Sequence, residues 1–258
     1  MSAHYFRRTE QVRLLLFTLA ISVGIAPCFA QKTEERGVIT LNPSEGDKEA
    51  KLLVEKMLNQ KPAENSVRSG HLKIYEGKGK WHEIPLKIEV LNTPTNILTI
   101  YETSRDGKPD TRLSIGHAGI NPNTYELQHA DKEQNLNSVA TLSPFAGSDF
   151  WIADLGLEFL HWPKQRVLRK EMRRSQFCAV LESTNPEPKT GYRRVLCWID
   201  TDPPYGIVHA EAYDSKNELL KNFDPTEFKK VEGQYELEEM EIRNRQTGSR
   251  TKIQFNVE

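Results

Sequence analysis

The chain has 258 residues, a formal net charge of −1, 28% charged side chains and 37% hydrophobic ones. A charge so near zero excludes the basic surplus of a nucleic-acid-binding protein, and no apolar run reaches the length a bilayer-spanning helix requires. The length suffices for one domain with a sizeable core.

Arg7, Arg8 and Arg13 make a positive start, and Leu14 to Ala26 is an apolar run of thirteen residues. Cys28-Phe29-Ala30 then places small residues at the −3 and −1 positions of a cleavage site. The pattern predicts a secretory signal peptide over residues 1–30, cleaved after Ala30, and a single domain over residues 31–258. Pro27 stands where a lipoprotein signal needs a small residue, which argues against a lipid anchor at Cys28. Arg7-Arg8 also lacks the apolar residues that follow a twin-arginine pair. Cleavage removes three Arg and one Glu and takes the formal charge from −1 to −3. The expected product is a soluble periplasmic protein.

The stretch SEGDKEAKLLVEKMLNQKP predicts a helix over 45–60, capped by Ser44, with Leu52, Leu53 and Met57 on one apolar face and Pro62 just past its end. From His71 the period becomes two. In WHEIPLKIEVLN, Ile84, Leu86, Ile88 and Val90 point one way and Glu83, Lys87 and Glu89 the other, a half-buried strand in which Pro85 marks an edge or a bulge. Short turns join this strand to HLKIYE, NILTIYETS, TRLSIG and TYELQHA. Further strands are read in QRVLRKEMRR, QFCAVLES, YRRVLCWID, IVHAEAYD, LLKNF, YELEEMEIRN and RTKIQFNV. So many strands with short connections predict an antiparallel meander.

Between the two groups lies FAGSDFWIADLGLEFLHWP. Its Phe145, Phe150, Trp151, Phe159 and Trp162 are five of the eleven Phe and Trp residues outside the leader. Ser148 can cap a helix with Asp149 in its first turn, Ile152, Leu155, Phe159 and Trp162 keep helical spacing, and Gly156 weakens that helix by about 1 kcal/mol relative to alanine. Such a segment reads either as a core helix or as a movable cover.

Cys178 and Cys197 lie in two strands separated by TNPEPKTG. A hairpin centred on Glu187 and Pro188 would set Cys178 opposite Cys197, Val180 opposite Val195 and Phe177 opposite Trp198. A structural disulfide is then expected, with two reduced buried cysteines as the alternative. Several strands are apolar on both faces, so the sheet needs cover on both. The basic run Lys164 to Arg174 reads as a solvated strand face or as a contact for anionic headgroups.

The stretches GSDFWIADL, FCAVLES with YRRVLCWID, YGIVHAEAYDSKNELLKNF and KKVEGQYELEEMEI occur in order over residues 145–255. In them the chain resembles the LolA-like family of outer-membrane lipoprotein-sorting proteins, especially a divergent branch that includes a spirochaete periplasmic lipoprotein. The resemblance implies an α+β fold: a strongly curved antiparallel sheet, an open half-barrel, with helices covering its concave face over an apolar cavity. It implies a carrier for acyl chains of lipoproteins or lipids, exchanging them with inner- and outer-membrane partners. Phe145, Phe150, Trp151, Leu155, Phe159 and Trp162 become candidates for the lid or cavity wall, together with Ile84, Leu86, Ile88 and Val90. The contacts that gate the cavity of well-studied carriers find no residue-by-residue match.

Enzyme chemistry has no motif behind it: there is no G-x-S-x-G, no HExxH and no phosphate-binding glycine loop. His71, His82, His117, His129, His161 and His209 lack metal-ligand spacing, so neither a metal nor a cofactor is expected. A non-catalytic sensor or interaction module of the cell envelope, built on the same fold, is the alternative to a carrier.

Overall fold

A computed structural model describes residues 37–62, 64–77, 79–129, 132–135, 140–187, 191–231 and 234–256. The signal peptide read over residues 1–30, its cleavage after Ala30, and Cys28 lie outside the described residues. A short strand β1 (Ile39–Thr40) leads into helix α1 (Pro43–Leu58). Next come β2 (Ser66–Gly77), β3 (Lys80–Asn92), β4 (Ile97–Arg105), β5 (Lys108–Ala118), β6 (Asn121–His129) and β7 (Lys132–Asn135). After the one-turn helix α2 (Ile152–Leu155) and a 3-10 turn (Glu158–His161) follow β8 (Lys164–Arg173), β9 (Gln176–Thr184), β10 (Arg194–Asp200) and β11 (Ile207–Tyr213). The last strands are β12 (Leu219–Val231), β13 (Gln234–Asn244) and β14 (Arg250–Phe255).

Among the described residues these fourteen strands form one sheet in the order β1-β8-β9-β10-β11-β12-β13-β14-β2-β3-β4-β5-β6-β7. Each neighbouring pair is antiparallel, and β1 and β7 are its two open edges. Two pairings join early strands to late ones: β14 pairs with β2 inside the sheet, and β1 pairs with β8 at one edge.

The sheet is strongly curved, as a simple distance argument shows. Ten strands separate β8 from β6 in the sheet order, which in a flat sheet would put them roughly 50 Å apart at about 4.8 Å per strand. Yet the same short segment bonds to both. The Asn123 amide of β6 donates to the Gly156 carbonyl at 2.7 Å, and the Gln165 amide of β8 donates to the Phe159 carbonyl at 2.8 Å. The residues between Phe145 and Trp162 therefore bridge the two arms of an open half-barrel from its concave side.

Two apolar clusters fill that concavity. Leu72, Leu86, Ile88, Leu113, Ile115, Met240 and Ile253 pack with Phe145, Phe150, Ile152 and Leu155. Ala179, Leu181, Val195 and Ile199 pack with Phe159, Leu160 and the buried face of α1. That face consists of Gly46, Ala50, Leu53, Val54, Met57 and Leu58, a helical stripe that leaves Leu52 outside it, 59% exposed. Asn42, rather than Ser44, caps the helix: its side chain accepts from the Glu45 amide at 3.0 Å, and Pro43 takes the first helical position, where its missing N–H costs nothing. Gly46 sits there because a Cβ would fall 2.3 Å from the Val167 carbonyl oxygen of β8.

The cysteine pairing expected from the sequence is overturned. In the β9–β10 ladder Cys178 stands opposite Asp200 and Cys197 opposite Leu181, and both thiols are free and buried. The register differs by three residues because the loop closes where the Asn185 amide donates to the Arg193 carbonyl. An odd shift turns one strand's side chains to the other face. Cys197 thus joins the concave cluster, while Cys178 joins Val180, Leu196, Trp198 and Val208 on the convex face. No bond can cross the sheet between them.

The convex cluster answers the need for cover on both faces. The Arg169 and Arg173 guanidinium groups lie over the Trp198 ring at 5.8 and 4.6 Å, and the indole N–H donates to Glu171 at 2.6 Å. The basic run is largely neutralised, with Arg166 on Asp47 at 2.6 Å, Arg169 on Glu171 at 2.8 Å and Arg174 on Asp224 at 2.9 Å.

Candidate functional site

The aromatic segment is not one helix. Ala146 and Gly147 both have positive φ, 49° and 74°, forming a tight turn in which the Ser148 amide donates to the Phe145 carbonyl. The Ile152 amide then donates back to the Ser143 carbonyl, so residues 141–153 fold as an irregular hairpin. Ser148 caps no helix, since its hydroxyl bonds within the turn, to Phe150. Asp149 is fixed to β14, accepting from the hydroxyls of Ser249 and Thr251 at 2.6 and 2.9 Å. Helix α2 follows as a single turn. Asp154 starts it by accepting from the Trp151 amide at 2.8 Å, and Leu157, at φ 49°, breaks it.

Three polar clasps hold this segment. At its centre Lys221 of β12, 2% exposed, donates to the Asp149 carbonyl at 2.7 Å and approaches the Asp154 carboxylate at 3.5 Å. Its ammonium also lies 3.7 Å from the centre of the Trp151 ring. Burial pulls the Lys221 pKa down to about 8, against the pull of Asp154 and Asp149. Tyr192 completes this clasp, stacking on Trp151 at 4.5 Å and donating its hydroxyl to Asp154 at 2.8 Å. Burial, and next the Asp154 charge, holds the Tyr192 hydroxyl un-ionised.

At the β6 arm, Tyr125 donates to Glu158 at 2.5 Å and the Asn123 amide donates to Gly156. Asn123 is itself oriented by His117, whose Nδ1 lies 3.1 Å from the Asn123 carbonyl oxygen. Burial pushes the His117 pKa down to about 4. Gly156 is required by this contact: a Cβ would lie 2.4 Å from the Tyr125 hydroxyl oxygen. At the β8 arm, Gln165 bonds the Phe159 and Trp162 carbonyls and is held by the Ser183 hydroxyl.

Beneath the segment lies a cavity of about 60 Å³. Phe150, Leu155, Leu157 and Phe159 form its cover, and Val195, Ile207, Ala210, Ala212, Met240 and Ile242 its floor. Polar groups reach it only through Asp154, Tyr192, Lys221 and Asn222.

Of the residues singled out by sequence, Phe150, Leu155 and Phe159 line this cavity. Trp151 belongs to the clasp at its edge, Phe145 packs edge-on to Tyr101 at 6.1 Å, and Trp162 meets Phe159 edge-on at 6.5 Å. Ile84, Leu86, Ile88 and Val90 point into the concave core around β3 and do not line the cavity. Sequence reasoning missed Lys221, Tyr192 and the two alanines of IVHAEAYD. The alanines did carry a signal, since small side chains at alternate positions of an apolar strand leave room on one face. Among the described residues, no three His, Cys, Asp or Glu side chains converge as a metal site would need, and no helix is long and apolar enough to cross a membrane.

Solved structures with this architecture place the fold. A domain described as outer membrane lipoprotein-sorting, from Vibrio parahaemolyticus, is similar with a TM-score of 0.67 at 21% identity, over 84% of this chain and 92% of that one. A DUF1329 family protein from Desulfovibrio piger gives 0.66 at 18% identity, over 82% and 91%. The LolA superfamily protein NE2245 from Nitrosomonas europaea gives 0.56 at 15%, over 81% and 91%. No curated protein matches. The chain thus shares with these structures its fold, an open antiparallel half-barrel with helical cover. A family model described only as an uncharacterized protein matches residues 127–257, just over half the chain, and the chain belongs to that family.

Proposed function

We propose that the protein is a periplasmic, non-catalytic carrier that holds acyl chains of lipoproteins or lipids under the segment Phe145–Trp162. The observation that carries this reading is the apolar cavity enclosed between that segment and β10–β13. A neighbour named for lipoprotein sorting supports it through the shared fold.

Each methylene buried contributes about 0.8 kcal/mol, so a chain held here would not leave into water unaided. At about 60 Å³ the cavity is far smaller than a full acyl chain. Loading therefore requires the cover to lift. The cover holds no long helix, but beyond its polar clasps Phe145, Phe150, Ile152, Leu155, Phe159 and Leu160 pack into the concave clusters. Lifting it costs that burial, which the burial of an acyl chain in their place would have to offset.

The test is uptake of a fluorescent fatty-acyl probe by residues 31–258, compared with the variant Ala212→Trp, which fills the cavity floor. Saturable uptake lost in a folded Ala212→Trp variant supports the reading. Absence of uptake, or uptake equal in both, contradicts it and turns attention to a protein partner.

A further inference from the structure

On the convex face of the sheet stands a row of side chains that the cavity does not use. Arg250 of β14, Tyr75 of β2 and Trp81 of β3 are direct cross-strand partners, Arg250 opposite Tyr75 and Tyr75 opposite Trp81. The Arg250 guanidinium lies 4.6 Å from the Tyr75 ring centre, and the Tyr75 and Trp81 rings stack at 6.3 Å with 28° between their planes. The row faces away from the core, because the residues that alternate with it, Leu72, Ile74 and Ile84, are the ones in the concave cluster.

Trp81 is 58% exposed, and its position makes it protrude. The β3–β4 ladder begins only at Leu86, so the first residues of β3 extend past β4 towards the β2–β3 turn. Lys80 beside it is exposed, and turns at the same end of the sheet add exposed Lys108 and Arg245. Of the acids nearest in sequence, Glu76 is engaged by His82 at 3.4 Å, Glu83 by His71 at 3.4 Å and Asp110 by Arg105 at 3.5 Å, while Asp106 is exposed in the β4–β5 turn.

We propose that this end of the sheet is an anchor for an anionic membrane surface. The Trp81 indole enters the headgroup region, and Lys80, Lys108 and Arg245 meet the lipid phosphates. An indole is apolar in body and polar at one edge, which suits the boundary between headgroups and acyl chains. A protein partner fits less well. A stable protein interface needs about 1,000 Å² of complementary surface, whereas the other exposed large apolar side chains of the described residues, such as Ile120, Val67 and Leu52, lie in other parts of the fold. The anchor does not depend on what the cavity holds.

The test is co-sedimentation of residues 31–258 with vesicles of phosphatidylcholine alone and of phosphatidylcholine containing phosphatidylglycerol. Binding is expected only with phosphatidylglycerol, weakening with salt, about five-fold weaker for Lys80→Ala and largely lost for Trp81→Ala. Ala212→Trp should bind as the unaltered chain does, which separates surface docking from cavity loading. Brominated acyl chains should quench tryptophan emission in the unaltered chain and not in Trp81→Phe. Equal binding to both vesicles, binding to neither, or unchanged binding by Trp81→Ala overturns the proposal. The last two outcomes would assign Trp81 to a soluble partner.

Discussion

The ammonium of Lys221 sits 3.7 Å from the centre of the Trp151 ring and 3.5 Å from the carboxylate of Asp154. A strand of the half-barrel thereby holds its own cover through a buried charge. A buried ammonium is costly to desolvate, and Lys221 is kept inside by three partners at once: a carbonyl, a carboxylate and an aromatic face. Losing any one of them leaves charge unsatisfied in an apolar place.

That cost is readable as a pH dependence. With its pKa pulled down to about 8 in the folded chain against about 10.4 in the unfolded one, Lys221 binds its proton less readily when folded. The unfolded chain then holds more protons between these values, so stability rises with pH through about 8 to 10.4. Below about 8 the penalty is fully present, and its size is on the order of 3 kcal/mol. Urea unfolding across this range should show the rise in the unaltered chain and a flatter profile in Lys221→Met.

His117 gives the corresponding effect in acid. Burial lowers its pKa to about 4, against the hydrogen bond to Asn123 and with a small push from His161. The unfolded chain takes up the proton first, so stability falls as pH drops from about 6.5 towards 4. His161, also lowered chiefly by burial, acts in the same direction. The β6 clasp should loosen in this window, and His117→Gln should reduce the acid loss measured by thermal unfolding.

Gly156 tests the fit of cover to strand. Its φ of −93° is open to alanine, so the expected penalty is steric alone. A Cβ at 2.4 Å from the Tyr125 hydroxyl oxygen and 2.9 Å from Cζ must push the ring or the segment aside. Gly156→Ala should cost about 1–3 kcal/mol in urea unfolding. The simultaneous change Tyr125→Ala, which removes the obstructing ring, should make the alanine nearly neutral.

The cysteines provide a check on register. Buried on opposite faces, Cys178 and Cys197 should both remain thiols even after expression in an oxidising compartment. Burial raises the Cys178 pKa to about 12 and that of Cys197 further, so neither thiol should react with an alkylating reagent until the chain unfolds. Peptide mapping after alkylation in denaturant should find one label on each. A linked Cys178–Cys197 peptide would mean that the ladder is shifted.

The strands were legible because alternation survives in sequences such as WHEIPLKIEVLN, where Ile84 through Val90 do face inward. The helix over residues 45–60 was legible for the same reason, at period 3.6, although its cap moved from Ser44 to Asn42. The cysteine register was not legible. It depends on where the β9–β10 loop closes, and Asn185 bonding Arg193 leaves no mark in hydrophobic pattern. The aromatic segment misled because apolar residues at helical spacing can equally line an irregular cover; Ala146 and Leu157 take positive φ, a choice made by tertiary contacts. The clasp was invisible for a related reason. Lys221 meets Trp151 and Asp154 across about seventy residues of chain, and only the curvature of the sheet brings them together.

An acyl chain held beneath Phe150, Leu155 and Phe159 should survive purification. Native mass spectrometry of residues 31–258, purified from the periplasm of an expression host without detergent, should show a co-purified lipid or acylated peptide that is retained in gentle ionisation and absent from a folded Ala212→Trp variant. A bare protein mass, together with no acyl uptake on titration, would mean that the space beneath the cover holds no acyl chain.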